Sequence, residues 1–265
     1  MASSTALLEA VIRRDRLVLV AGILLVMALA WGWLVLGAGT DMSAIEMTRM
    51  AGMDGWMMQP AVWTLAYALL IVSMWWVMMV AMMLPSAAPM LLLFARVNRK
   101  EKAAGSPLMP TGAFATGYLI AWGGFSVVAA GLQWALETAR LMSPMLQTAN
   151  VWLGAAILVG AGLWQLTPLK TMCLRHCRSP IGFLINNWRA GRLGALRMGF
   201  EHGAYCLGCC WFLMALLFFG GVMNLYWIVG LAVFVLLEKI IPLGHWLGRV
   251  AGVVLIGWGA YLPMH

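Results

Sequence analysis

Charge is what this chain lacks. Of its 265 residues only 17 are Lys or Arg and 9 are Asp or Glu, 10% in all, against 63% hydrophobic. A soluble domain carries about 25% charged residues, so these side chains cannot coat a globule with polar surface. A soluble enzyme is excluded. A mean hydropathy of +0.90 excludes intrinsic disorder as well. The sequence also has no serine nucleophile with a plausible His partner, no phosphate-binding loop and no dinucleotide fingerprint. It contains no internal repeat and no low-complexity linker. What remains is an all-α, polytopic membrane protein, one helical domain over residues 1–265 whose solvent is lipid.

A span needs about 20 mainly apolar residues. Seven stretches qualify: 17–36, 62–84, 111–136, 151–168, 197–220, 222–241 and 247–262, the last of them short. Gly220 and Gly221 join the fifth and sixth in a tight hairpin. Arg13, Arg14 and Arg16 precede the first span, and Arg96, Arg99, Lys100 and Lys102 follow the second. Lys170, Arg175, Arg178, Arg189, Arg192 and Arg197 lie between the fourth and fifth, and Lys239 and Arg249 between the sixth and seventh. So 15 of the 17 basic residues fall on alternate loops, and only Arg49 and Arg140 on the others. The positive-inside rule then puts the N-terminus in the cytoplasm and the C-terminus outside. The net charge of +8 is a topology signal, and no nucleic-acid partner is expected. Ala28-Leu29-Ala30 resembles a signal-peptidase site, but the apolar run continues through Trp31, Trp33, Leu34 and Leu36, which favours an uncleaved helix. Residues 169–196 read as a cytoplasmic or interfacial segment.

Sulfur is what the chain has. Twelve of its 22 methionines lie between Met42 and Met90. The outer loop, 37–61, holds Met42, Met47, Met50, Met53, Met57 and Met58, interleaved with Asp41, Glu46 and Asp54. Thioethers are soft, uncharged ligands that select Cu(I), and they survive an oxidising compartment where thiols would pair. The spacing of Met47, Met50 and Met53 lets a short helix or turn offer several sulfurs to one ion. The plain alternative is a greasy interfacial loop in which methionine is a flexible filler. In the second span Met74, Met78 and Met82 repeat at i, i+4 and i+8, and Met79 and Met83 form a second pair. Residues four apart stack on one helix face, so these methionines form a sulfur ladder, or simply a packing face. Pro85 and Pro89 are expected to interrupt that helix and free backbone carbonyls.

The five cysteines fall on the cytoplasmic side or in the cytoplasmic half. On a helix, His202, Cys206 and Cys209 occupy about a 60° arc, flanked by Glu201 and Cys210. One imidazole and two thiolates on one face suit Cu(I) or Zn(II), and the methionines favour copper. Gly199, Gly203 and Gly208 would let a neighbouring helix approach closely. Each cysteine alone would be an ordinary buried thiol, and His202 alone a satisfied polar group. Glu201 beside His202 inside a span points to function. Cys173, His176 and Cys177 form a second cluster, either a ligand set or a juxtamembrane anchor whose basic flanks touch lipid phosphates. Glu238 and Lys239 read either as an ion pair or as a carboxylate that orients His202 beside the metal.

These blocks resemble the bacterial family of predicted metal-binding integral membrane proteins (domain of unknown function 2182). The match rests on Trp75 to Pro85 (W-W-V-M-M-V-A-M-M-L-P) and on Thr167-Pro168-Leu169-Lys170 followed by Cys173 and Cys177. It includes Glu201-His202-Gly203 with Cys206, Gly208, Cys209, Cys210 and Trp211, then Glu238-Lys239 and Pro242. It covers roughly residues 60–262. The resemblance implies a helical membrane fold and metal binding of a copper-handling type. The order of outer methionines, an in-span Met pair and cytoplasmic Cys/His also resembles the chemistry of eukaryotic copper transporters, on a different topology.

The expected function is handling of Cu(I), as carrier or membrane chaperone, with the lipid bilayer, the metal ion and a receiving cuproprotein or other membrane protein as partners. The alternatives are a thiol oxidoreductase using Cys206 and Cys209, and a non-catalytic assembly partner docking through Gly-rich faces.

Overall fold

The computed structural model describes residues 2–40, 42–50, 62–101, 108–143 and 146–264. Among them there are ten α-helices and no strand: α1 Ala2–Val35, α2 Ala44–Met50, α3 Leu65–Glu101, α4 Leu108–Thr138, α5 Val151–Leu166, α6 Pro168–Arg178, α7 Pro180–Asn187, α8 Gly191–Gly220, α9 Leu225–Ile240 and α10 Gly244–Tyr261. A 3₁₀ turn, Leu262–Met264, closes the chain.

Five of these helices are long and apolar enough to cross a membrane: Arg16–Val35, Leu65–Arg99, Leu108–Thr138, Gly191–Gly220 and Gly244–Met264. A sixth is α5 with α6, bent by 65° where Thr167 caps α6 and Pro168 opens it. Against the seven stretches expected, five helices, or six with the bent pair, meet the length and hydropathy requirement among the described residues. The stretch 222–241 forms α9, whose 16 residues reach only about 24 Å against a hydrocarbon core of about 30 Å. Its ends nonetheless lie far apart in the bundle. The Leu225 N–H donates to Thr48 Oγ1 of the outer segment (2.9 Å), and Arg178 of α6 donates to the carbonyls of Ile241 and Pro242 (2.6 Å each). The hairpin before α9 is also longer than expected. Gly221 takes φ +97°, a left-handed value that favours glycine, and Asn224 caps α9 three residues later.

Two further expectations change. Pro85 and Pro89 do not interrupt α3, which stays helical through both. Packing on α1, α4 and α9 holds it, and the hydroxyls of Ser86 (2.8 Å) and Tyr118 (3.5 Å) reach the Met83 carbonyl in this stretch. Residues 169–196 are mostly helical too: α6 and α7 follow each other, and α8 begins at Gly191, earlier than hydropathy alone indicated.

The most extensive pairing is α4 against α8. A Cβ at Gly199 would strike the Phe114 carbonyl group, one at Gly117 would strike Leu196 O, and one at Gly203 would lie 2.7 Å from Ala121 Cβ. The two helices therefore meet backbone to backbone, as small residues permit where lipid gives no hydrophobic drive. Gly162, Gly252 and Gly259 make a similar seam between α5 and α10. Ser43 and Glu46 form a capping box for α2: the Glu46 N–H donates to Ser43 Oγ (3.2 Å), and the Ser43 N–H (2.9 Å) and hydroxyl (2.7 Å) donate to the Glu46 carboxylate.

Gly199→Ala is expected to cost about 1–3 kcal/mol, read as a lower thermal midpoint in detergent. Gly124→Ala, where a Cβ meets nothing within 4 Å, should be neutral or stabilising. The Ser43 hydroxyl first, and its backbone N–H second, hold Glu46 below the usual glutamate range. Its depressed value means the cap is fully present above the unfolded glutamate range and is lost as pH falls through the folded one. Amide exchange in α2 should therefore rise on acidification, and Glu46→Gln should remove that dependence.

Candidate metal centre

Five helices deliver the site, α9 supplying Lys239. α8 turns Cys206, Cys209 and Cys210 into the bundle, all of them buried. The i, i+3, i+4 spacing puts the three on one side of the helix. α6 lies across α8 at Gly208, where a Cβ would sit 2.8 Å from Cys173 Sγ. One turn further along α6, the Cys177 thiol is within hydrogen-bonding reach of Cys206 and Cys209. α3 brings its methionines and α4 brings Tyr118.

Cys206 is the hub. Its sulfur lies 3.0 Å from Lys239 Nζ and 3.1 Å from Tyr118 Oη. The thiols of Cys209 and Cys210 both donate to the Cys206 carbonyl at 3.0 Å. Cys210 Sγ is 3.9 Å from Met83 Sδ. Met74, Met78, Met79, Met82 and Met83 are all buried in the same cluster as the three α8 cysteines. The ladder and the thiols thus share one buried cluster, with a sulfur–sulfur contact where Met83 meets Cys210. Met214 and Met223 are buried in that cluster as well.

The ion pairs around the hub differ from those expected. Glu238 neither pairs with Lys239 nor orients His202. It forms an ion pair with Lys170 of α6, the two side chains 2% and 3% exposed, in a space that Gly248 of α10 leaves open. Lys239 is thereby free to turn to Cys206 and to Ser86 Oγ (3.0 Å).

A model of the PpoB2 family, described as a copper chaperone, matches residues 72–262. The chain belongs to this copper chaperone family. No curated protein and no solved structure matches it. The family match begins two residues before Met74 and ends after α10, so it contains the whole methionine ladder and every group around Cys206, whereas α1, α2 and the segment before α3 precede it.

Copper handling fits the donor chemistry, since thiolates and thioethers are the soft ligands this metal prefers. Among the described residues, no three His, Cys, Asp or Glu side chains stand arranged to coordinate an ion. The geometry explains this. Two thiols face a backbone carbonyl, and an ammonium and a phenol flank the third, so the sulfurs are gathered but not turned on one point.

The other candidate ligands are dispersed. His202 is buried, 3% exposed, but its ring sits among Phe114, Tyr118 and Phe183, 5.3 to 6.0 Å between centroids. Its Nδ1 has no hydrogen-bond partner among the described residues. Glu201, 100° round the helix from His202, faces Arg189 and Arg197, each at 3.1 Å, and stands apart from the thiols. His176 separates from its neighbours Cys173 and Cys177: it stacks on Tyr205 (4.1 Å between centroids, 2° between planes), and its Nδ1 lies 2.9 Å from Met172 O. Met42 and Met47 are half-buried and Met50 is exposed. Met53, Met57 and Met58, with Asp41 and Asp54, lie outside the described residues.

Sequence reasoning missed Tyr118, Ser86 and the part played by Lys170. Only Lys170 carried a signal, as a cation at the edge of an apolar segment. Removing either partner of the buried pair, by Lys170→Met or Glu238→Gln, is expected to cost about 3–5 kcal/mol. The double variant Lys170→Met/Glu238→Met should recover most of it, read from thermal unfolding in detergent.

Proposed function

We propose that the protein is an integral membrane chaperone or carrier for Cu(I). The observation that carries this reading is the junction of Met83 Sδ with Cys210 Sγ at 3.9 Å, which links a buried row of thioethers to a thiol cluster centred on Cys206. A neutral thioether holds Cu(I) more weakly than a thiolate does. An ion moving from Met74 through Met78, Met79, Met82 and Met83 to the cysteines therefore runs downhill, and each stop stays weak enough to release it. Cys206 is the primary ligand, with Cys209, Cys210 or Cys177 able to turn toward it as the second. Each thiol gives up its proton as its sulfur takes the ion. His202, with an unpartnered ring nitrogen one helical turn from Cys206, is the candidate nitrogen donor.

In this reading the chain sits in the bacterial inner membrane. Its N-terminus and the α6–α7 segment are cytoplasmic, as the basic residues direct, and the Met-rich outer segment is the entry side. The short helices α5 and α9 complete seven crossings, with local thinning of the bilayer or snorkelling of flanking residues. Cys173, Cys177 and His176 on α6 form the exit toward a receiving cuproprotein.

Purified, reduced protein should take up Cu(I) in competition with a chromophoric chelator and show sulfur-dominated coordination by X-ray absorption. Cys206→Ser combined with Cys209→Ser should abolish uptake. Failure of the reduced wild type to bind copper overturns the reading. Thiol trapping of a reversible Cys206–Cys209 disulfide during turnover would favour an oxidoreductase instead.

A further inference from the structure

Lys239 has no ordinary reason to be where it is. It is part-buried near the end of α9, its neighbour Glu238 is committed to Lys170, and its hydrogen bonds go to Ser86 Oγ and Cys206 Sγ, both at 3.0 Å. Cys177, Cys209 and Cys210 also interact with its charge, as does Glu238, which Lys170 already engages. In a medium of low dielectric an uncompensated charge is expensive. With Glu238 held by Lys170, Cys206 Sγ is the ionisable group in contact with this ammonium that can supply the opposite sign.

We propose that Lys239 is a specificity-determining residue, a fixed positive charge against Cys206 that makes the thiol cluster accept a monovalent soft ion in preference to a divalent one. This rests on the copper reading above. A monovalent ion between two thiolates has a net charge of −1, and Lys239 brings the site to zero. A divalent ion between the same thiolates is neutral, and Lys239 leaves the site at +1, uncompensated in the dry interior. A divalent ion escapes that only by recruiting further thiolates toward the four-coordinate shell that zinc favours. The flank of Cys206 where such a shell would close is filled by the Lys239 ammonium and the Tyr118 hydroxyl. Lys239 thus acts through charge and through the space it fills, and it touches a ligand sulfur rather than the ion.

The test measures Cu(I) and Zn(II) affinities of the full-length, reduced protein in detergent, each by competition with a metal-specific chelator. Lys239→Met should lower Cu(I) affinity by about 10- to 100-fold and leave Zn(II) affinity unchanged or raised, so that the Cu(I)/Zn(II) ratio collapses. Lys239→Arg should keep the wild-type ratio, and Lys239→Gln replaces Lys239→Met if that variant does not fold. Parallel loss of both metals, or an unchanged ratio in Lys239→Met or Lys239→Gln, overturns the proposal while leaving the copper reading intact. A wild type that binds no Cu(I) overturns the copper reading itself.

Discussion

The contact on which the rest depends is the backbone-to-backbone approach of α4 to α8. Gly117, Gly199 and Gly203 remove the side chains that would hold the two helices apart. In lipid there would be little hydrophobic force to draw such helices together, and close van der Waals packing would have to do it. That approach sets Tyr118 against Cys206 and boxes His202 between aromatic rings. A second close approach, of α6 to α8 at Gly208, adds Cys173 and Cys177. The sulfur cluster follows from how near these helices can come.

Charge is then distributed with economy. The buried carboxylate, Glu238, neutralises Lys170 and ties α6 to α9. The next cation along, Lys239, is left to the sulfurs. Glu201, which as an in-span carboxylate suggested metal chemistry, is claimed by two arginines at the edge of the bundle. The separation suits a site for a soft ion: hard oxygen donors are engaged elsewhere, and the thiols and thioethers share the dry interior.

Much of this was legible in the chain. The apolar runs marked most of the helices, because lipid imposes its length requirement residue by residue. The methionine period marked the buried face of α3, since the i+4 repeat is a property of the helix alone. The spacing of Cys206, Cys209 and Cys210 placed three thiols together for the same reason. Other features escaped. The helix persists through Pro85 and Pro89 because neighbouring helices support α3, and a local rule about proline does not include them. His176 reads as a partner of Cys173 and Cys177 in sequence, yet a helix turns it away from them and onto Tyr205. The reach of α9 is a matter of where its two ends dock, at Thr48 and at Arg178, and hydropathy carries no such information.

The sequence by itself determined the class of molecule, the faces of its long helices and the kind of atom, sulfur, that those faces present, because each is set by spacing within one helix or by composition. Tertiary structure alone decided which charges meet. The pairing of Glu238 with Lys170 instead of Lys239, and the turning of Lys239 and Tyr118 onto Cys206, depend on helices distant in the chain approaching at particular heights. A pattern read along one helix holds no record of that height.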